Sequence, residues 1–289
     1  MRYEGTVYRP PSEAGSLIIQ LTIGCARNTC TFCNMYKDKN FRIRPLSEVV
    51  EDLEAARRYY GFDIERIFLA DGDALIVKTE DLLFIIGRIK EIFPEVKRIS
   101  IYATPKDILD KTSEDLKKLK ESGLDMLYIG AESGDDEVLK HVKKGVTRKE
   151  IIDACLKAKE AGFILSITLI SGLGGSARVT EHAINSATLI SKINPEYVGL
   201  LTLMIEPEVP LYEELQSGSF KLLSPSEVLT ELELFLKNID AEGTVFRSNH
   251  ASNYLPLKGT FNKDIGQLLR QIEYARENKL FRPEGYRGI

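Results

Sequence analysis

Short apolar runs alternate with longer amphipathic segments along most of this chain. The runs are rich in Ile, Leu and Val and end at polar or glycine-containing turns, which predicts buried strands of a parallel sheet. The longer segments carry apolar residues at helical spacing and predict amphipathic helices. Six strands are predicted, over Ser16–Thr22, Arg66–Ala70, Arg98–Ala103, Met126–Gly130, Ile164–Ile170 and Tyr197–Leu203.

The order of these elements predicts the fold class. The first helix carries Val49, Leu53 and Ala56 on one face, and a later helix opens with the capping pair Thr112 and Asp115. Strands that alternate with helices favour parallel pairing and right-handed connections. We therefore predict an α/β fold, a partial (βα)6 TIM-like barrel with parallel strands and a C-terminal α/β extension.

The pattern changes after the sixth predicted strand. An amphipathic helix opens at the capping box Ser224–Glu227, and a short strand then leads into the polar loop Arg247–Asn253. We expect an irregular lead-in over residues 1–15, a barrel core over 16–205, and an extension over 206–289 that closes the barrel and faces the substrate.

Composition and charge argue against nucleic-acid-binding, secreted and membrane-spanning proteins. Of the 289 residues, 43% are hydrophobic and 28% are charged, as is usual for a soluble globular protein with a substantial core. The net charge of −4 provides no overall basic field for nucleic acid. The N-terminus is too polar for a signal peptide, and no run approaches the ~18 apolar residues of a membrane span. We expect a cytoplasmic protein with no membrane association.

Three of the four cysteines, Cys25, Cys30 and Cys33, lie within nine residues directly after the first predicted strand. Thiolates are the preferred ligands of iron–sulfur clusters and zinc. Three thiolates leave one iron of a four-iron cluster without a protein ligand. A structural zinc site is the first alternative, but it requires four ligands and no histidine lies nearby. A disulfide with a spare thiol is the second, although nothing else marks the chain as secreted. Cys155 falls in phase with apolar helix positions and is expected to be a core thiol.

The cysteine segment resembles the cluster-binding loop of radical S-adenosylmethionine (SAM) enzymes. That family usually has three and then two residues between its cysteines, whereas this chain has four and then two. An aromatic residue before the last cysteine, here Phe32, is typical of the family. The resemblance implies a [4Fe-4S] cluster on the three cysteines, with Phe32 and Tyr36 beside the cofactors.

The same resemblance implies the chemistry. SAM would chelate the open iron and be cleaved by one electron to a 5′-deoxyadenosyl radical, which abstracts hydrogen from a substrate. The electron would come from an external low-potential donor of the flavodoxin or ferredoxin type, under anaerobic conditions. The cofactors would do the chemistry, while the protein positions them and excludes water.

Two further loops resemble family motifs. Asp71, Gly72 and Asp73 follow the second predicted strand and resemble the Gly-Gly-Glu motif that meets the methionine ammonium; a tight turn with side-chain hydrogen bonds is the alternative. Glu132 and Ser133 follow the fourth strand and resemble the Glu-Ser-Gly stretch of the Elongator- and methylthiotransferase-like branch, where they would reach the ribose or methionine. By that resemblance Lys144 could approach the methionine carboxylate. The alternative for Ser133–Asp135 is a helix cap.

Polar and glycine-rich segments complete the candidate site. Gly172, Leu173 and Gly174 follow the fifth strand and, by the resemblance, would let the backbone approach adenine. Glu206 follows the sixth strand, and Arg247 and His250 lie in the polar loop of the extension. We expect these last three residues to serve the substrate, with a folded, solvated loop as the alternative. Active sites of parallel α/β barrels form at the C-terminal ends of the strands, where all these loops fall.

The expected function is a radical SAM enzyme that acts on a small molecule. We expect no N-terminal cobalamin domain, and the sequence shows no second cysteine set, so cobalamin-dependent methylation and auxiliary-cluster chemistry are disfavoured. An RNA-modifying enzyme is one alternative, although the negative net charge of the chain disfavours binding to nucleic acid. A basic rim for RNA could come from the cations near the cysteines, which are Lys37, Lys39, Arg42 and Arg44. A non-catalytic iron–sulfur or zinc protein is the other alternative.

Overall fold

The computed structural model describes residues 1–288. In chain order its strands are β1 (Leu17–Gln20), β2 (Thr22–Ile23), β3 (Arg42–Ile43), β4 (Arg66–Ala70), β5 (Arg98–Ala103), β6 (Leu124–Glu132), β7 (Ile164–Ser171), β8 (Tyr197–Thr202), β9 (Val245–Ser248) and β10 (Leu257–Thr260). Its α-helices are α1 (Leu46–Tyr60), α2 (Thr79–Ile92), α3 (Pro105–Asp110), α4 (Ser113–Ser122), α5 (Asp136–His141), α6 (Arg148–Glu160), α7 (Val179–Ile193), α8 (Pro210–Ser217), α9 (Pro225–Asn238) and α10 (Ile265–Glu277).

The predicted alternation of strands and helices is confirmed. The six predicted strands correspond to β1, β4, β5, β6, β7 and β8, and each is followed by at least one helix. The first is shorter than expected, because Thr22 leaves β1 and pairs antiparallel with Ile43 of β3. This short ribbon of β2 and β3 encloses the segment that carries the cysteines.

The described chain forms two compact units. The first comprises Met1–Asn28, Met35–Ile129 and Asp153–Leu165. Within it β1, β4, β5 and β6 pair in parallel in that order. In β4 every residue after Arg66 is buried, as expected for a strand covered on both faces. The core includes Phe68, whose ring centroid lies 4.8 Å from that of Tyr102 and 5.7 Å from that of Tyr128 in edge-on geometry.

The second unit comprises Thr29–Asn34, Gly130–Ile152 and the chain from Ser166 onward. Here β7 pairs in parallel with β8, β8 pairs in parallel with β9, and β10 runs antiparallel to β9. Part of its core is an aromatic cluster in which Phe246 stacks on Phe261 at 4.9 Å and Phe235 lies beside both. The predicted boundary after residue 205 stays a prediction.

Helix caps account for the element ends that the pattern located well. Thr112 and Asp115 form the predicted capping box of α4, and Gly123 ends the helix in the left-handed conformation. Ser224 and Glu227 form the predicted capping box at the start of α9. Four elements, β3, α3, α8 and β10, escaped the pattern because they are short. In the described residues no helix is both long and apolar enough to cross a membrane.

Candidate active site

The cysteines differ sharply in their surroundings. None of the four forms a disulfide bond. Cys25, Cys30 and Cys33 are half-buried, whereas Cys155 is fully buried in α6, as expected of a core thiol. Burial raises the pKa of the Cys155 thiol to about 12, so it stays protonated near neutral pH and is a poor metal ligand.

The segment around Cys30 and Cys33 is fixed by backbone hydrogen bonds within the second unit. The Thr31 amide donates to the Val142 carbonyl at 3.0 Å, and the Thr31 carbonyl accepts the Leu211 amide at 3.0 Å. The Phe32 ring packs against an apolar cluster that contains Val142 and Leu173. Phe32 therefore anchors the segment by its side chain, while the two cysteines flank this anchor.

A lysine lies beside these two cysteines. Lys144 donates to Glu132 at 3.0 Å, and both side chains are about one-seventh exposed, at 14% each. Burial lowers the pKa of the Lys144 ammonium, but attraction to Glu132 and to the Cys30 and Cys33 thiolates outweighs burial and raises it. Lys144 is thus a permanent cation next to two of the three candidate cluster ligands.

The backbone at Glu132 has a conformation that non-glycine residues seldom adopt. Its φ is +66°, in the left-handed region. A side chain at Gly130 would place its Cβ 2.1 Å from Glu132 Oε1, so any larger residue there would force the carboxylate to move from its position beside Lys144. Strained backbone of this kind concentrates at functional sites.

Ser133 lies in a helix cap. Its Oγ accepts the Asp135 amide at 3.0 Å, and the Asp135 carboxylate caps α5 by accepting the amides of Glu137 and Val138. The cap interpretation of this stretch is therefore confirmed. Contact of Ser133 with SAM stays a prediction.

In the first unit, Tyr36 covers the acidic loop after β4. A Cβ at Gly72 would lie 2.4 Å from Tyr36 Cε2, so glycine is required for the ring to lie against the loop. Tyr8 meets the Tyr36 ring edge-on with the centroids 5.6 Å apart. Asp73 is buried at the start of a 3-10 turn over Ala74–Ile76. Asp71 is also buried, and its carboxylate accepts hydrogen bonds from residues of the same unit.

The glycine loop after β7 rests on a carboxylate that the sequence did not single out. Glu231 of α9 is 3% exposed and accepts the Gly172 amide at 2.7 Å. The Ser171 hydroxyl also donates to it, and His182 Nδ1 lies 2.7 Å from its other oxygen. One signal was available, because Glu231 interrupts the apolar face formed by Val228, Leu232 and Phe235.

The three candidate substrate residues lie in different places. Arg247 is on β9, His250 is in the loop that follows β9, and Glu206 follows β8. Arg247 is exposed, and its guanidinium donates to the Phe246 carbonyl. His250 Nδ1 accepts the Ser252 amide at 3.2 Å, and burial followed by the Arg282 charge lowers the pKa of the imidazole. Glu206 is half-buried after β8. Roles for Arg247, His250 and Glu206 toward a substrate stay predictions.

The four cations proposed as a basic rim all have partners in the first unit. Arg44 is buried and pairs with Asp52 at 2.8 Å, and Lys39 is buried against Asp71 at 2.9 Å. Arg42 pairs with Glu4, and Lys37 donates to a backbone carbonyl at 2.9 Å. These residues therefore offer less positive surface than their sequence positions suggested.

The donor set fits a cluster with three protein ligands. Cys25, Cys30 and Cys33 are half-buried thiols outside disulfides, and thiolates are the usual ligands of iron in such clusters. Residues 1–288 show no ready-made metal-binding group of three His, Cys, Asp or Glu side chains. We therefore infer the three cluster ligands from the spacing of the cysteines, from the affinity of thiolates for iron, and from Lys144 near Cys30 and Cys33.

Comparison with known proteins decides the family. The model of the radical SAM superfamily matches residues 19–184, more than half of the chain. The chain belongs to the radical SAM superfamily. Its cofactors are accordingly a [4Fe-4S] cluster and SAM, and it is an enzyme of that superfamily.

Individual relatives are more distant. The chain is similar to the heme chaperone HemW of Bacillus subtilis, with 26% identity over 183 residues, 63% of this chain and 48% of the relative. It is also similar to the threonylcarbamoyladenosine tRNA methylthiotransferase MtaB of Rickettsia prowazekii, with 22% identity over 267 residues, 87% of this chain and 63% of the relative. It thus spans about half to two-thirds of these proteins.

Solved structures support the fold. The structure of methylornithine synthase (PylB) matches with a TM-score of 0.55 and 18% identity, and the match covers 90% of this chain and 81% of that one. At this identity the likeness concerns the fold alone.

Proposed function

We propose that this chain cleaves SAM reductively at a [4Fe-4S] cluster held by Cys25, Cys30 and Cys33, and that the product radical abstracts hydrogen from a small-molecule substrate. The observation that carries the proposal is the Lys144–Glu132 ion pair at 3.0 Å, with Lys144 beside the Cys30 and Cys33 thiolates. When bound, the cluster supplies one electron to SAM, which then breaks into methionine and the 5′-deoxyadenosyl radical. The protein supplies position, charge and exclusion of water.

Charge assigns the ends of SAM to particular residues. The Lys144 ammonium attracts the methionine carboxylate, and Asp73 or Glu132 attracts the methionine ammonium. The loop of Gly172–Gly174 brings backbone close to adenine, since glycines leave no Cβ in the way. Phe32 packs against the apolar cluster that contains Leu173, and the Tyr36 ring lies against Gly72.

The substrate side of the proposal belongs to the C-terminal residues. Arg247 offers a forked donor for carboxylate or phosphate, and the His250 imidazole, whose pKa is lowered by burial, offers a neutral proton acceptor. Glu206 adds a carboxylate after β8. An external flavodoxin- or ferredoxin-type protein supplies the electron.

The reaction is tested with anaerobically prepared protein, a reductant and SAM, in the presence and absence of a small-molecule extract. We expect slow 5′-deoxyadenosine formation alone and faster formation with the extract, since a well-placed hydrogen donor drives turnover. An untargeted metabolite comparison between wild-type and deletion cells then identifies the substrate that accumulates. Metal binding without any SAM cleavage would instead favour a non-catalytic iron–sulfur or zinc protein.

RNA modification is the second candidate. The observation that favours it is the similarity to a tRNA methylthiotransferase over 87% of this chain. Affinity for tRNA that falls steeply with salt, together with SAM cleavage stimulated by tRNA, would support it. Stimulation by the small-molecule fraction alone would support the first proposal.

A further inference from the structure

The buried carboxylate of Asp71 accepts hydrogen bonds from both ends of the cysteine loop, at Gly24 and at Lys39. Asp71 is 0% exposed, and its Oδ2 accepts the Gly24 amide at 3.0 Å and the Lys39 ammonium at 2.9 Å. Gln20 donates to both carboxylate oxygens, at 3.1 and 3.2 Å. Hydrogen bonds to a charged acceptor are about twice as strong as neutral ones. We call Asp71, Lys39 and Gln20 the carboxylate clasp.

The clasp acts directly on the first candidate cluster ligand. Gly24 immediately precedes Cys25, and its φ of +77° requires glycine, so the bond to Asp71 fixes the backbone from which Cys25 departs. Lys39 lies where the loop returns to β3, and its Nζ also donates to the Thr6 carbonyl at 2.6 Å. The start and the end of the loop therefore share one anchor.

The burial of Asp71 leaves little room for a second role. Both oxygens are engaged by protein donors, and the Lys39 side chain that covers Oδ2 is only 4% exposed. A SAM ammonium could reach this carboxylate only by displacing Lys39 from Oδ2 or Gln20 from Oδ1. Of the two carboxylates in the loop after β4, Asp71 therefore serves the cysteine loop, and Asp73 is the one proposed to bind SAM.

On this basis we propose that Asp71 is a positioning residue, which holds Gly24 and Lys39 so that Cys25 stays in place to bind the cluster, and that it makes no contact with SAM. This inference rests on the proposed function for the identity of the group that Cys25 binds. The geometry of the clasp itself does not depend on that identity.

The test compares Asp71→Asn and Lys39→Gln with a matched control, Glu13→Gln. Glu13 is equally buried in the same unit and pairs with Arg98 at 2.8 Å, but it is bonded to Ser100 and Tyr128 and not to the cysteine loop. All variants are made in the full chain. Each is measured by thermal denaturation, by hydrogen–deuterium exchange of the metal-free protein, and by the rate at which an iron chelator removes the cluster.

We expect Asp71→Asn and Lys39→Gln to speed exchange across residues 21–41 and to speed iron loss by about tenfold or more. Glu13→Gln should lower thermal stability without either effect. The double variant Asp71→Asn, Lys39→Gln should exchange more slowly than Asp71→Asn, since it leaves no buried unpaired ammonium. SAM affinity of the cluster-loaded Asp71→Asn protein should stay within about twofold of wild type.

Two results would overturn the inference while leaving the proposed function intact. One is iron loss that simply follows thermal stability in all variants, Glu13→Gln included. The other is an Asp71→Asn protein that keeps its cluster but binds SAM more than about tenfold more weakly, which would make Asp71 a SAM contact. A wild-type protein that binds no cluster would instead contradict the proposed function; unchanged exchange over residues 21–41 in Asp71→Asn would still refute the clasp.

Discussion

Among single residues, Glu132 and Lys144 contribute most to the proposed SAM site. Glu132 adopts a left-handed backbone that most side chains avoid, and in doing so it meets Lys144 at 3.0 Å. The pair gives the lysine a fixed place beside Cys30 and Cys33. Burial lowers the pKa of Lys144, and attraction to Glu132 is the largest of the effects that raise it.

The variant Glu132→Gln tests this pair. We expect SAM binding to the cluster-loaded protein to weaken by about 1.5–3 kcal/mol, the usual contribution of a charge-assisted hydrogen bond. Titration calorimetry under anaerobic conditions measures the change, and Glu137→Gln, an exposed position of α5, is the control. Unchanged affinity in Glu132→Gln would assign the strained backbone a structural role only.

His250 makes stability depend on pH. Its pKa is lowered in the folded protein, so the unfolded chain binds more protons between the folded pKa and the ordinary value of 6.5. The stabilisation is present above pH 6.5 and is lost as pH falls through the folded pKa. Protonation also removes the acceptor for the Ser252 amide.

We therefore expect the melting temperature of the wild type to fall more steeply than that of His250→Gln between about pH 7 and pH 5. Circular dichroism at several pH values checks this, with His141→Gln, an exposed histidine on α5, as the control. Parallel curves for wild type and His250→Gln would show that His250 does not titrate in this range.

At the scale of elements, α9 supports the glycine loop after β7. Glu231 receives the Gly172 amide, the Ser171 hydroxyl and His182 from within a buried site. Its removal leaves these groups without their acceptor, and a buried group that loses its partner costs about 1–3 kcal/mol. A residue of α9 thereby shapes the glycine loop that follows β7.

The variant Glu231→Leu should lower the free energy of unfolding by at least about 2 kcal/mol and loosen the loop over Ser171–Gly175. Urea denaturation measures the first effect and hydrogen exchange the second. Glu233→Ala, on the same helix, removes a more exposed carboxylate that pairs with Lys237 and Arg276, and it should cost about 0–1 kcal/mol. Equal losses in the two variants would contradict the support role.

Local signals predicted the elements well and the long-range contacts poorly. The apolar runs of β4 and β7 and the capping boxes at Thr112 and Ser224 act over a few residues, so the chain alone reveals them. The bonds from Asp71 to Gly24 and from Glu231 to Gly172 join distant parts of the chain. Nothing in a spacing rule specifies such pairs, so the sequence predicts Asp71 as a SAM contact without revealing its bond to Gly24.

At the scale of the whole molecule, superfamily membership is the firmest result. It follows from the match over residues 19–184 and agrees with the order of strands and helices. The named relatives share only part of their length with this chain, so its chemistry on the final substrate is a proposal. The central claim is that Cys25, Cys30 and Cys33 bind a [4Fe-4S] cluster that cleaves SAM, because every proposed step requires this cluster.

That claim is tested most directly by electron paramagnetic resonance of the reduced, anaerobically prepared protein with and without SAM. We predict a [4Fe-4S] signal that SAM shifts, followed by release of 5′-deoxyadenosine. Replacing Cys25, Cys30 or Cys33 by Ala should abolish both signals, whereas Cys155→Ala should keep them because that thiol is buried with a pKa of about 12. A signal that ignores SAM, or that requires Cys155, would contradict the account.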